Sequence, residues 1–240
     1  MAVFTPGLGS TVSGSLERYT RDMNGVVDVA SEQLDKAGRA DQGVAAVAWL
    51  GYDAPQLDGS TLNPAASVAS SSPAQRGGRD LAGFLDGINA SRPGDDPHLI
   101  ALGHSYGSTT TGYALQHTTA PVDDAVVFGS PGISTDDVAD LHLPAGHLFA
   151  IEARDDPVAD LGRFGEDPNH LDGVSRLSGH AETDDGAPLQ ESVGHSEYLT
   201  PDTTSQHNIA VTVAGLPDQQ IRGDDDSGIG DLTRWGLGNL

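Results

Sequence analysis

With 240 residues, 37% of them hydrophobic and 20% charged, the chain is long enough for one sizeable core and short for two. Twelve Lys and Arg against 35 Asp and Glu leave a net charge of −23, which repels phosphate backbones and anionic headgroups and argues against nucleic-acid or membrane-surface roles. The absence of cysteine excludes disulfides, thiol catalysis, Cys-zinc sites and iron–sulfur clusters.

No apolar run reaches the ~18 residues of a membrane-spanning helix, so no membrane insertion is expected. Met1-Ala2-Val3-Phe4-Thr5-Pro6 carries neither a basic nor a long apolar segment, which is not the pattern of a secretory signal and favours the cytoplasm. Lys36 is the single lysine, and the acids are mostly Asp. That composition suits adaptation to high salt, where carboxylate repulsion is screened, and it equally follows from biased coding.

A short apolar strand is expected over residues 2–6, ending at Pro6-Gly7-Leu8-Gly9. Residues 14–36 read as a helix, because Leu16, Tyr19, Met23, Val26, Ala30 and Leu34 recur at helical spacing. The continuous apolar run over 44–50 predicts a strand buried on both faces. The Pro-, Ser- and Ala-rich stretch 54–72 reads as loop, and 76–89 as a helix with Leu81, Phe84, Leu85 and Ile88 on one face. A strand over 98–102 is followed by a Gly-Ser turn and a helix through His117. Residues 125–128 and 148–151 are two more buried strands, with a further candidate at 174–178.

Strands separated by helices predict the α/β class: a single domain over 1–221 with a mostly parallel sheet covered by helices on both faces. Residues 222–240, with three consecutive Asp and several Gly, read as a flexible acidic tail.

In open parallel sheets the site lies beyond the carboxyl ends of the strands. There the sequence places Gly103-His104-Ser105-Tyr106-Gly107, which fits the G-x-S-x-G nucleophile elbow between a strand and a helix. The competing reading is an ordinary tight turn whose Ser caps a helix. A serine hydroxyl needs a base, and the base needs an orienting carboxylate; the chain order on this fold is Ser, acid, His.

After the strand at 148–151 come Asp155 and Asp156, and Asp156 is preferred because Pro157 restrains it to an extended backbone while Asp155 can point to solvent. Of the downstream histidines His170, His180, His195 and His207, His195 is preferred and His180 is its rival. Two N–H groups should face the oxyanion: that of Tyr106, following the nucleophile, and that of Leu8 in the loop after the first strand. The same Gly7-x-Gly9 loop resembles a phosphate cradle, but Val12 replaces the third small residue of a dinucleotide fingerprint and no P-loop lysine follows. His142 with His147, or His180 with Glu182 and Asp184, match no recognised zinc spacing, so no metal or other cofactor is expected.

At these residues the sequence resembles the α/β-hydrolase superfamily, and more narrowly the actinobacterial DUF1023-type α/β-hydrolase family. The resemblance rests on Pro6-Gly7-Leu8-Gly9-Ser10-Thr11, Trp49-Leu50-Gly51-Tyr52-Asp53-Ala54-Pro55, the elbow, Asp156-Pro157-Val158 and His195-Ser196-Glu197-Tyr198-Leu199. It implies a Ser105–Asp156–His195 triad and esterase- or lipase-like hydrolysis of a small-molecule ester. Thioester or amide hydrolysis on the same triad is an alternative, as is a non-catalytic binding module, which would have no physical need to keep all three residues.

Overall fold

The computed structural model describes residues 1–56, 70–92, 94, 97–159 and 162–223. In chain order these form β1 (Ala2–Thr5), α1 (Val12–Lys36), β2 (Ala46–Ala48), α2 (Ser72–Ala90), β3 (Ile100–His104), α3 (Tyr106–Leu115), β4 (Asp124–Phe128), β5 (Leu148–Ile151), β6 (Ser175–Leu177), β7 (Glu182–Asp184), β8 (Ala187–Leu189) and α4 (Thr204–Val213). Most of the loop expected over 54–72 and nearly all of the tail expected over 222–240 lie outside the described residues.

The central sheet has six strands in the order β2-β1-β3-β4-β5-β6, every pair parallel. Side chains alternate between its faces, as the strand period of two requires. Phe4, Ile100, Leu102, Val126, Phe128, Phe149 and Ile151 share one core with Tyr19, Met23, Val26 and Ala30 of α1 and Ile209 and Val213 of α4. Val3, Ala101, Ala125, Val127, Leu148 and Ala150 share the other with Leu81 and Leu85 of α2 and Leu115 of α3. Both faces are covered, which is why the inner strands read as unbroken apolar runs.

One element differs from the sequence expectation, and others have no counterpart in it. The run 44–50 yields only the three-residue β2, half-buried at the sheet edge and paired with β1 alone. An apolar run reports burial without saying which strand lies outermost. The Asp185-Gly186 pair, both at positive φ, turns the β7–β8 hairpin, a two-residue connection that suits strand twist. All ten residues of α4 are buried, so it carries no amphipathic stripe for a periodicity reading to find. Its Asn208 is fully engaged, donating to Ser178 O and Ile221 O and accepting the Ile221 N–H. Arg222 pairs antiparallel with Leu177, so the chain stays in register with the sheet edge beyond 221.

The connection from β1 runs to β2 on one side, and the next strand, β3, pairs on the other. The crevice between the carboxyl ends of β1 and β3 is therefore the point where strand order reverses, the usual place for ligands in such sheets.

Candidate active site

Ser105 stands in that crevice, between β3 and α3, with φ 55° and ψ −133°. A non-glycine residue at positive φ is strained, and here the surroundings hold it. Its N–H donates to Phe128 O on β4 at 3.1 Å, and its carbonyl accepts the Ser108 N–H at 2.9 Å and the Ser108 hydroxyl at 2.6 Å. The flanking glycines permit close approach. A Cβ on Gly107 would fall 2.1 Å from Thr5 O, and one on Gly103 would fall 2.6 Å from Ser108 Cα. The elbow is thus wedged against the end of β1.

His195 and Asp156 come to this hydroxyl from the far end of the chain. After β5, Arg154 pairs with Val193, and the Gly194 N–H donates to Arg154 O at 2.7 Å, which lays the His195 segment beside the acid loop. The Ser105 hydroxyl donates to His195 Nε2 at 2.7 Å. His195 Nδ1–H donates to Asp156, with both carboxylate oxygens at 2.9 Å. This assignment fixes the tautomer with Nε2 free to accept a proton.

The Asp156 side chain is fully buried, and a buried carboxylate needs donors. It also accepts the Val158 N–H at 2.9 Å and the Tyr198 hydroxyl at 2.6 Å. Burial alone would raise its pKa, but the bonds from His195, Tyr198 and Val158 outweigh it and hold the carboxyl below its usual range. Asp155, by contrast, is exposed at φ 60° and pairs with Arg154 at 3.6 Å. Gly129, at the end of β4 and φ 55°, leaves the needed room, since a Cβ there would meet Asp156 Oδ2 at 2.8 Å and His195 Nδ1 at 3.1 Å.

The rival histidines stand elsewhere. His180 is exposed, His170 Nε2 lies 3.8 Å from Asp167, and His207, buried in α4, contacts Gln219 O at 3.1 Å. His147 Nδ1–H donates to Asp124, and His142 Nδ1–H to Thr118 O. Among the described residues no three His, Asp or Glu side chains converge as a metal site would require.

The loop carrying Leu8 lies against the serine: a Cβ on Gly7 would fall 2.7 Å from Ser105 Cβ and 3.0 Å from its Oγ. The Gly9 and Ser10 amides are committed, to Pro55 O at 2.9 Å and Gly7 O at 3.4 Å. The Trp49–Pro55 string braces this loop. The Tyr52 hydroxyl donates to Pro6 O at 2.7 Å, and its ring stacks on Trp49 with centroids 5.9 Å apart. A groove of about 410 Å³ lies nearby, lined by Ser71, Tyr113, Ser134, Asp136, Arg163 and Phe164 among others; Ser105, Asp156 and His195 do not line it. It adjoins the elbow through Phe164, whose ring meets Tyr106 edge-on at 5.4 Å.

In the sequence Tyr198 stands out only as part of the His195–Leu199 string. Its hydroxyl in fact links two parts of the acid loop, donating to Asp156 Oδ2 and accepting the Ala153 N–H at 3.0 Å. A hydrogen bond to a charged group contributes about 1.5–3 kcal/mol. Tyr198→Phe is therefore expected to lower kcat on an ester substrate about tenfold or more with KM little changed, and to lower the melting temperature. Steady-state kinetics and a thermal melt of the purified variant check both; wild-type kcat would show that the phenol does not support Asp156.

The α/β-hydrolase family model matches residues 1–166, more than half of the chain. The chain belongs to the α/β-hydrolase family. It is also 34% identical over 177 residues to the uncharacterized protein Rv0963c of Mycobacterium tuberculosis, covering 72% of this chain and 64% of that protein. A second uncharacterized protein of that organism, Rv2079, is 33% identical over 166 residues, 68% of this chain and 24% of its own length. The chain thus spans less than two-thirds of the length of these curated relatives. A crystal structure from Lactobacillus plantarum aligns over 98% of both chains at a TM-score of 0.41 and 11% identity. Among the described residues, no helix of the chain is long and apolar enough to cross a membrane.

Proposed function

We propose that the protein is a cofactor-independent serine hydrolase that cleaves carboxylic esters through an acyl-enzyme on Ser105. The observation that carries this reading is the unbroken series of hydrogen bonds from the Ser105 hydroxyl to His195 at 2.7 Å and from His195 to Asp156 at 2.9 Å, on a strained elbow. As Ser105 Oγ attacks the substrate carbonyl carbon, its proton passes to His195 Nε2. Asp156 holds the imidazole in one orientation and stabilises the imidazolium. The Leu8 and Tyr106 amides receive the developing oxyanion. His195 then protonates the leaving alcohol, and a water molecule activated by the same imidazole hydrolyses the acyl-serine ester. The substrate in this reading is a small molecule, and the net charge of −23 disfavours nucleic acid.

A panel of p-nitrophenyl esters of increasing acyl length, run beside a thioester and an anilide, tests the reading. Ester turnover with a burst of p-nitrophenol is expected. A folded protein that turns over none of these substrates would favour the hydrolase-like binding module instead.

A further inference from the structure

His104, the variable position of the elbow, is a polar residue in an apolar row. Ile100, Leu102 and His104 alternate on β3, and the first two lie in the core shared with α1 and α4. The imidazole packs in the same manner, with its centroid 5.3 Å from Phe128 and 5.7 Å from Tyr198. Leu or Phe would fill such a place at least as well. What the imidazole adds is a directed donor: His104 Nε2–H bonds to the backbone carbonyl of His195 at 2.9 Å. The two rings lie 4.8 Å apart, inclined at 32°.

Around His195 the Val193 N–H donates to Glu197 Oε2 at 2.9 Å and the Thr200 N–H to Glu197 O at 3.0 Å, so the flanking turn is held on itself, whereas the His195 carbonyl is met by His104. Gly194 N–H donates to Arg154 O on the side of the acid, and His104 lies beneath the ring on the side of the elbow. Burial and the neighbouring His195 pull the His104 pKa down to about 4, so the ring is neutral near pH 7 and adds no like charge beside a forming imidazolium.

We propose that His104 is a positioning residue that fixes the His195 backbone, and with it the reach of Nε2 to Ser105, through its single Nε2–H bond. This rests on the serine-hydrolase reading above. A misplacement well under 1 Å lengthens a proton-transfer hydrogen bond, so the effect belongs in the chemical step rather than in substrate binding.

The test compares His104→Gln, whose side-chain amide N–H can replace the imidazole Nε2–H, with His104→Met, of similar length but without a donor. Active sites are titrated with a p-nitrophenyl phosphonate, so that kcat is counted per competent site and a loss of folded protein does not enter. His104→Met is expected to lower kcat about tenfold with KM near wild type, and His104→Gln to recover most of that loss. His104→Phe, which keeps an aromatic ring in the stack, serves as the donor-free variant if His104→Met does not fold, with the same expectation. A folded donor-free variant with wild-type kcat overturns the proposal. So does His104→Gln performing no better than the donor-free variant. Wild-type protein that is neither labelled nor active would remove the underlying hydrolase reading, and the positioning role with it. A wild type that is labelled while Ser105→Ala is not keeps that reading intact and leaves the His104 comparison to decide the inference.

Discussion

Under the proposed mechanism Ser105→Ala is expected to abolish ester hydrolysis, lowering kcat by about 10⁶ by analogy with Ser-His-Asp enzymes, while the fold is retained. The hydroxyl makes one side-chain bond, to His195 Nε2, and contributes little to packing. The strained turn is held instead by backbone and by Ser108, whose hydroxyl bonds both Ser105 O and the Ser130 hydroxyl at 2.6 Å. Residual turnover would come only from oxyanion stabilisation and substrate binding. Hydrolysis of a p-nitrophenyl ester by a variant with a parent-like melting curve measures this directly, and unchanged turnover would sink the mechanism.

The acid loop gives the second large effect. Asp156→Asn should lower kcat by about 10³–10⁴, because an amide neither holds the productive His195 tautomer nor stabilises the imidazolium. Asp155→Asn should cost little: its carboxylate is exposed and, among the described residues, pairs with Arg154. Both variants change net charge equally, so long-range electrostatics cancel in the comparison. The pH profile adds a check with a definite sign. Hydrogen bonds from His195, Tyr198 and Val158 overcome burial and depress the Asp156 pKa in the folded protein. Its contribution to stability is therefore present above the unfolded carboxyl value and lost as pH falls through the lower folded one. Melting curves between neutral and acid pH should show Asp156→Asn losing that part of the acid dependence and Asp155→Asn keeping it. A crippled Asp155→Asn beside a normal Asp156→Asn would contradict the assignment.

Local sequence carried much of this architecture. The strand over 148–151 is legible because four apolar residues in a row need burial on both faces, and β5 spans those residues. The elbow is legible because glycines two positions either side of a serine mark a turn that crowds its neighbours. Asp156 is set apart from Asp155 by Pro157, a neighbour in sequence. What lay beyond reach was non-local. Nothing near Tyr198 announces that its hydroxyl meets an acid 42 residues away in sequence, and nothing near His104 announces a bond to a carbonyl 91 residues on. The helix α4 was hidden for a different reason, being buried all round. The hairpin at Asp185-Gly186 does carry a local signal, an Asp-Gly pair that suits a two-residue turn.

The most direct measurement is covalent labelling with a p-nitrophenyl phosphonate, followed by peptide mapping. Attack by a serine held against an imidazole base predicts one adduct per chain, on the peptide containing Ser105. It further predicts that the adduct is absent from Ser105→Ala and formed far more slowly in Asp156→Asn. A folded wild-type protein that forms no adduct, or forms one that persists in Ser105→Ala, would contradict the assignment of Ser105 as the nucleophile.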